Sequence, residues 1–180
     1  LSEPIQDLAV SHSGLILAST SSQLVLLRVG ENEAALNLAV SGPLQLALSR
    51  DGRLAVTGSN EPNSLTLWRL PGGVSSRPWR APRAQSEALG DGSARSLALS
   101  GDGRYVLVGD AQGWLRLLDV EEGACKSHWQ AHQQAVRRVR LSSDGRVAFS
   151  SSDDGTMACW EVVGGRRWET FQGLSDTLAI

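Results

Sequence analysis

The chain has 180 residues, of which 41% are hydrophobic and 20% charged, and its formal net charge is −2. This composition is typical of a globular protein with a buried core and excludes a largely disordered chain. The near-neutral charge gives no basis for nucleic-acid or anionic-membrane binding, and no apolar run reaches the roughly 18 to 20 residues of a membrane helix. No signal peptide is apparent at the N-terminus. We therefore expect a protein without membrane contact, in the cytoplasm or nucleus.

Four segments follow one another along the chain with the same pattern of an apolar strand, a tight turn and a second apolar strand. They are Leu8–Leu15, Leu46–Arg53, Leu97–Arg104 and Val139–Arg146, the first being the weakest copy. The glycines of the turns, Gly14, Gly52, Gly103 and Gly145, are 38, 51 and 42 residues apart by subtraction. A repeat of this length with hairpin turns is typical of four-stranded propeller blades.

Each unit continues with a second tight turn and two further strands. In the third and fourth units these turns are Ala111–Gly113 and Asp153–Gly155, and the last strands are Ala124–Trp129 and Arg166–Phe171. No segment has sustained helical periodicity with caps. The sequence therefore predicts an all-β fold, a propeller arc of about four four-stranded blades. The expected blades are residues 1–40, 41–89, 90–131 and 132–173, with 174–180 beginning a further blade.

The long second interval contains residues 71–93, which are rich in Pro, Gly, Ser and Arg. This composition predicts an extended strand and loop insertion. The two cysteines, Cys125 and Cys159, have no CxxC spacing, so we expect reduced, largely buried thiols and no disulfide framework.

The last unit resembles the WD-repeat family throughout its length. Ala131-His132 stands where the family has Gly-His, the Ser143–Arg146 turn follows the first strand, and Cys159-Trp160-Glu161 matches the Trp-Asp signature. The resemblance implies a β-propeller, usually of seven blades. It also implies a buried structural tetrad formed by His132, Ser150, Asp154 and Trp160.

The other units depart from this tetrad. The third has Val108, Gln112 and Leu118 at three of its positions. The second has Thr57 and Trp68, with one residue inserted near Glu61-Pro62. The first has Ser19, and Leu27 near the tryptophan position. We expect these blades to depend on apolar packing.

Both ends of the chain cut through the repeat. Leu1 occupies the position of the Gly-His histidine, and Leu178–Ile180 falls in the first strand of a fifth unit. We expect a piece of a longer polypeptide, in which the remaining blades come from the parent chain or by oligomerisation.

Three patterns suggest a catalytic or ligand-binding site, and each has a better explanation. Ser150, His132 and Asp154 suggest a hydrolytic triad, but the repeat accounts for them and no nucleophile elbow is present. His128 and His132 would lie about 13 Å apart on a strand, too far to share a metal. The Gly72-Gly73 and Gly164-Gly165 pairs lack the lysine and helix of a phosphate loop. We expect no catalytic residues, no metal and no cofactor.

The remaining function is recognition of other proteins. The resemblance implies a partner-binding face around the central channel, formed here by Gln6, Ser93, Arg95, Ala111, Ala135, Arg137 and Asp153. The leading hypothesis is a non-enzymatic protein-interaction scaffold that mediates complex assembly within a larger multidomain protein. The alternatives are an RNA-binding propeller, supported only by the arginines and Trp79, and an enzymatic propeller of the lactonase or peptidase-associated kind. Nucleic acid is not the expected partner.

Overall fold

The computed structural model describes residues 3–30, 36–39, 45–59, 65–70, 75–79 and 93–172. Sixteen strands in these ranges form four antiparallel sheets of four strands each, and no helix occurs there. The predicted all-β fold of four four-stranded blades is confirmed.

Within every sheet the strands pair in chain order, so each blade is a meander. Blade 1 contains β1 (Asp7–Val10), β2 (Leu15–Ser19), β3 (Gln23–Arg28) and β4 (Leu36–Ala39). Blade 2 contains β5 (Gln45–Leu48), β6 (Leu54–Gly58), β7 (Leu65–Arg69) and β8 (Ser75–Trp79). Blade 3 contains β9 (Ala94–Leu99), β10 (Tyr105–Asp110), β11 (Trp114–Asp119) and β12 (Ala124–Gln130). Blade 4 contains β13 (Val136–Leu141), β14 (Val147–Ser152), β15 (Thr156–Glu161) and β16 (Arg166–Gln172). Strand β8 lies within the predicted 71–93 insertion; the rest of that insertion apart from Ser93, and the predicted start of a fifth blade at 174–180, fall outside the described residues.

The turn between the first two strands explains why the Ser-x-Asp-Gly-Arg pattern repeats. In blade 4, Ser142 Oγ donates to Asp144 Oδ1 at 2.6 Å and accepts the backbone N–H of Val147 at 2.9 Å. The same Asp144 oxygen accepts the backbone N–H of Arg146 at 3.1 Å, and Gly145 has a φ of 71° that favours glycine. Blades 2 and 3 repeat these bonds. The sequence thus encodes each turn locally.

Blade 1 has a shorter version of this turn. The backbone N–H of Leu15 donates to Ser11 Oγ at 3.0 Å, four residues away, whereas Val147 and Ser142 are five residues apart. Because this turn is one residue shorter, the residues of β2 and β3 are offset by one position when blade 1 is aligned with the other blades by its turn glycine.

The innermost strands β1, β5, β9 and β13 lie next to one another in that order. Side chains on one inner strand hold the backbone of the next: Asp7 Oδ2 accepts the N–H of Leu46 at 2.8 Å, and Ser96 Oγ accepts the N–H of Val139 at 3.1 Å. Three apolar clusters fill the three blade interfaces. Each blade therefore has a preceding face and a following face, turned towards the blade before it and the blade after it.

The two ends of the blades differ. We call the end at which the innermost strands begin the entry end. It also carries the turns between the second and third strands, because neighbouring strands are antiparallel. The Ser-x-Asp-Gly-Arg turns lie at the opposite end.

Candidate functional site

The preceding face of blade 4 carries a buried chain of polar side chains. Trp160 Nε1 donates to Ser150 Oγ at 2.8 Å, and Ser150 Oγ lies 2.7 Å from His132 Nε2. His132 Nδ1 lies 2.8 Å from Thr156 Oγ1 and 3.4 Å from Asp154 Oδ2. Thr156 Oγ1 completes the chain by donating to Asp154 Oδ1 at 2.6 Å. The structure thus brings the four tetrad residues together and adds Thr156.

The donors and acceptors of this chain fit one arrangement of protons. Thr156 Oγ1 donates its proton to Asp154 and therefore accepts from Nδ1 of His132, so Nε2 of a neutral imidazole accepts the hydroxyl proton of Ser150. The imidazole then carries its proton on Nδ1, from which it donates to Thr156. Burial lowers the pKa of His132 below its ordinary 6.5, although nearby Asp154 opposes this shift. A neutral imidazole is the form that this arrangement requires.

The carboxylate at the end of the chain stays charged. Burial acts to raise the pKa of Asp154, but the Thr156 hydroxyl and the backbone N–H groups of Gln133 and Thr156 outweigh it, and the pKa falls below 3.8. Asp154 Oδ2 accepts the N–H of Gln133 at 2.9 Å. The tetrad therefore also anchors the loop that leads into β13.

Thr156 was missed at the sequence level. Its signal is a hydroxyl residue directly after the Asp153–Gly155 turn, two positions beyond Asp154, where its side chain can reach both the histidine and the aspartate.

Blade 2 keeps half of the tetrad. Trp68 Nε1 donates to Thr57 Oγ1 at 3.0 Å. The pairing of Ala55 with Trp68 reproduces that of Ala148 with Trp160, which agrees with one inserted residue before Trp68.

In blade 1 the assignment of Ser19 was wrong. Ile16 pairs with Leu27 as Ala148 pairs with Trp160, so Leu27 does occupy the tryptophan position. Counting from this pair places Ala18 at the position of Ser150. The short Ser11–Leu15 turn causes the shift, since aligning the turn glycines conceals a missing residue.

Blade 3 replaces the tetrad with a different buried pair. Val108 and Leu118 stand at the serine and tryptophan positions, and nearby Asp110 and Arg116 form an ion pair whose side chains are 2% and 6% exposed. Asp110 Oδ1 also accepts the backbone N–H groups of Gln112 and Trp114, each at 2.9 Å. Blade 3 therefore adds a buried ion pair to the apolar packing that was expected of it.

The candidate partner-binding residues all lie at the entry end. Gln6, Ser93 and Ala135 directly precede β1, β9 and β13. Arg95 and Arg137 are the second residues of β9 and β13, while Ala111 and Asp153 begin the turns that follow β10 and β14. Four of the seven are exposed, namely Gln6, Arg95, Arg137 and Asp153. Ser93, Ala111 and Ala135 are half-buried.

Blade 4 holds three of these residues together. Arg137 Nε donates to Asp153 Oδ1, and the backbone N–H of Asp153 donates to the carbonyl of Ala135 at 3.0 Å. The side chains of Arg137 and Asp153 remain 66% and 36% exposed. Arg95 lies one blade away on the neighbouring inner strand, and Gln6 is separated from this group by β5 and β9.

The serine and histidine of the tetrad are inaccessible. Ser150 is 2% and His132 4% exposed, so a substrate could not reach the hydroxyl. Within the described ranges, no three His, Cys, Asp or Glu side chains are arranged to hold a metal ion. The part of the chain that the structure describes contains no helix with the length and apolarity needed to cross a bilayer.

Comparison with known proteins identifies the family. The family described as "WD domain, G-beta repeat" matches residues 123–161. The family described as "Anaphase-promoting complex subunit 4 WD40 domain" matches residues 47–141, more than half of the chain. The chain belongs to the WD-repeat family.

Several curated proteins are similar to the chain. WD repeat-containing protein 81 of Rattus norvegicus is 31% identical over 104 residues, 55% of this chain and 5% of that protein. Periodic tryptophan protein 2 homolog of Dictyostelium discoideum is 25% identical over 168 residues, 91% of this chain and 17% of that protein. Protein ROOT INITIATION DEFECTIVE 3 of Arabidopsis thaliana is 26% identical over 110 residues, 61% of this chain and 25% of that protein. The chain thus spans only 5% to 25% of the length of these relatives. Proteins of this family are generally non-enzymatic scaffolds for protein–protein interaction.

Proposed function

We propose that this chain helps to assemble a protein complex in the cytoplasm or nucleus by binding a protein partner at the entry end of blades 3 and 4. The observation that carries the proposal is the exposed Arg137 and Asp153 pair, which lies directly beside the buried tetrad of blade 4. Exposed arginines held on a rigid support are typical of residues that dominate binding energy.

The tetrad and Ser152 hold in place the loop and the turn that carry the Arg137 and Asp153 pair. Asp154 follows Asp153 in the chain and fixes the Gln133 backbone, while Ser152 Oγ donates to the carbonyl of Gln134 at 3.1 Å. These bonds hold the loop before β13 and the turn after β14 against each other. A partner would therefore lose little affinity to ordering of the loop or turn.

Arg137 retains donors for a partner. Its Nε contacts Asp153, and the guanidinium has further N–H groups that can bind a carboxylate or carbonyl. Arg95 offers a second exposed guanidinium on the adjacent inner strand. The chemistry favours a partner surface rich in carboxylates and backbone carbonyls.

The test compares proteins captured from nuclease-treated cell extract by the tagged chain and by two double variants. Arg95→Ala/Arg137→Ala removes the entry-end arginines. Arg53→Ala/Arg146→Ala removes two exposed arginines at the opposite end and serves as the matched control. Quantitative mass spectrometry identifies the partners, and Kd is then measured with each purified partner.

We expect at least one partner to be lost with the entry-end variant and kept with the control. If both arginines contact it, its Kd should rise about 30-fold or more, the effect of losing about 2 kcal/mol. The proposal would be refuted if every captured partner bound the native chain and the entry-end variant with the same Kd.

A further inference from the structure

Lysine occurs only once in the chain. Lys126 is the single lysine among 17 basic side chains, and all the others are arginines. Both side chains supply a positive charge, but only the lysine amine can lose its proton and act as a nucleophile. Any reaction that joins a carboxyl group to a side-chain amine of this chain therefore takes place at Lys126.

Lys126 lies in a β-bulge at the outer edge of blade 3. Strand β12 is the outermost strand of this blade and pairs only with β11. Cys125 pairs with Leu118 and Ser127 pairs with Leu117, so Lys126 is the extra residue between them. A bulge leaves its extra residue outside the ladder and changes the direction of a side chain. The amine is thus carried at the rim of the blade.

The accessibility of this position does not depend on the ends of the chain. Blade 3 lies between blades 2 and 4, and Ser127 Oγ donates to the carbonyl of Val162 in blade 4 at 3.2 Å. With both neighbouring blades in place, the side chain of Lys126 is still 38% exposed. The outer edge of a blade is not part of the interface with either neighbour.

The fold does not require a lysine at this position. In blade 4 the register of β15 and β16 shifts at the same place and leaves Trp168 as the extra residue. An indole has neither the charge nor the donors of an ammonium group. Backbone geometry therefore does not account for the lysine.

The amine of Lys126 is held only by an exposed ion pair. Within the described ranges, Nζ donates to Glu122 Oε2 at 2.6 Å, and the Glu122 side chain is 53% exposed. Exposed pairs of this kind contribute little to stability, so the two groups can separate. The nearby buried Asp119 does not depend on this amine alone, because Arg104 Nε lies 3.5 Å from its Oδ2. A neutral group at Nζ is therefore compatible with the fold.

We propose that Lys126 is a modification site, acylated by the thioester of a carboxylic acid. The ammonium first releases a proton to water, and Nζ then attacks the carbonyl carbon of the thioester. The C–N bond forms as the C–S bond breaks, and a second proton from the nitrogen passes to the departing thiolate. The product is a neutral amide. Lys126 lies outside the entry-end surface of Arg137 and Asp153, so the two proposals can fail independently.

The test measures the intact mass and the fragment masses of the tagged chain, purified from eukaryotic cells treated with inhibitors of deacylases and isopeptidases. Lys126→Arg keeps the positive charge and removes the nucleophile. Lys126→Arg/Arg146→Lys moves the single lysine to an exposed position at the opposite end of blade 4 and serves as the matched control. Thermal melts establish that both variants are folded.

We expect the native chain to carry an acyl adduct on Lys126 that is lost in Lys126→Arg and is not regained in Lys126→Arg/Arg146→Lys. The mass of the adduct distinguishes a small acyl group, such as acetyl from acetyl-coenzyme A, from a protein joined through its C-terminal carboxyl group. Absence of an adduct at Lys126 of the native chain would overturn the proposal. Equal modification of the relocated lysine would also overturn it, because the position in the bulge would then have no effect.

Discussion

Removal of the Ser150 hydroxyl should destabilise the protein far more than the small change in volume suggests. Ser150→Ala leaves the indole N–H of Trp160, now 2.8 Å from Ser150 Oγ, without its acceptor, and Nε2 of His132 without its donor at 2.7 Å. Both residues are buried, at 2% and 4% exposure. A stranded buried polar group costs about 1 to 3 kcal/mol, so the two together should lower the free energy of unfolding by about 2 to 6 kcal/mol.

The assay is chemical denaturation followed by tryptophan fluorescence, with thermal melting alongside. For a chain of this size the expected decrease in Tm is about 4 to 24 °C. Ser151→Ala is the matched control, since Ser151 is the next residue on β14 and points to the other face. A double-mutant cycle with Trp160→Phe should show coupling of about 1 kcal/mol, because either change already breaks the same bond. Equal costs for Ser150→Ala and Ser151→Ala would refute this account of the tetrad.

Three further changes test other parts of the structure. Burial lowers the pKa of His132 in the folded state, so the unfolded chain takes up the proton first and stability should fall as the pH drops below about 6.5. In His132→Gln, the free energy of unfolding from denaturation curves should depend less on pH in this range. Gly113→Ala should lower the free energy of unfolding by more than about 3 kcal/mol in the same assay, because Gly113 has a φ of 89° and an added Cβ would lie 2.3 Å from the His132 carbonyl oxygen. Gly155→Ala is the control: Gly155 has a similar φ of 78° but open space around it, so the loss should be about 1 kcal/mol. Arg116→Met should destabilise by about 3 kcal/mol by leaving the Asp110 charge buried, and adding Asp110→Asn should regain most of this loss; an additive double variant would contradict the ion-pair account.

The repeated elements could be predicted because their causes are local. Each Ser-x-Asp-Gly-Arg turn forms its hydrogen bonds within six residues, as from Ser142 to Val147, so the pattern alone specifies the hairpin. The last blade could be predicted in detail because His132 and Trp160 stand at the family's spacing. The repeated hairpin turns and the family spacing in the last blade together predict the all-β architecture.

Features that depend on strand register could not be predicted. Ser19 was misplaced because a residue missing from a turn shifts a strand by one position, which moves every side chain to the other face. Asp110 and Arg116 lie on different strands, and nothing in their spacing shows that they meet. Blade 4 has Arg140 at an inner-strand position where the other three blades have alanine, and this difference emerges only after the four registers are compared.

The most direct test of the central claim, that the chain binds a protein partner through its entry end, is hydrogen–deuterium exchange of the chain with and without a captured partner. We predict slowed exchange at the amides of Ala135–Arg137 and of the Asp153–Gly155 turn, with smaller changes around Arg95. The Ser-x-Asp-Gly-Arg turns at the opposite end should exchange as in the free chain. Protection confined to those opposite turns, with the entry end unchanged, would contradict the claim.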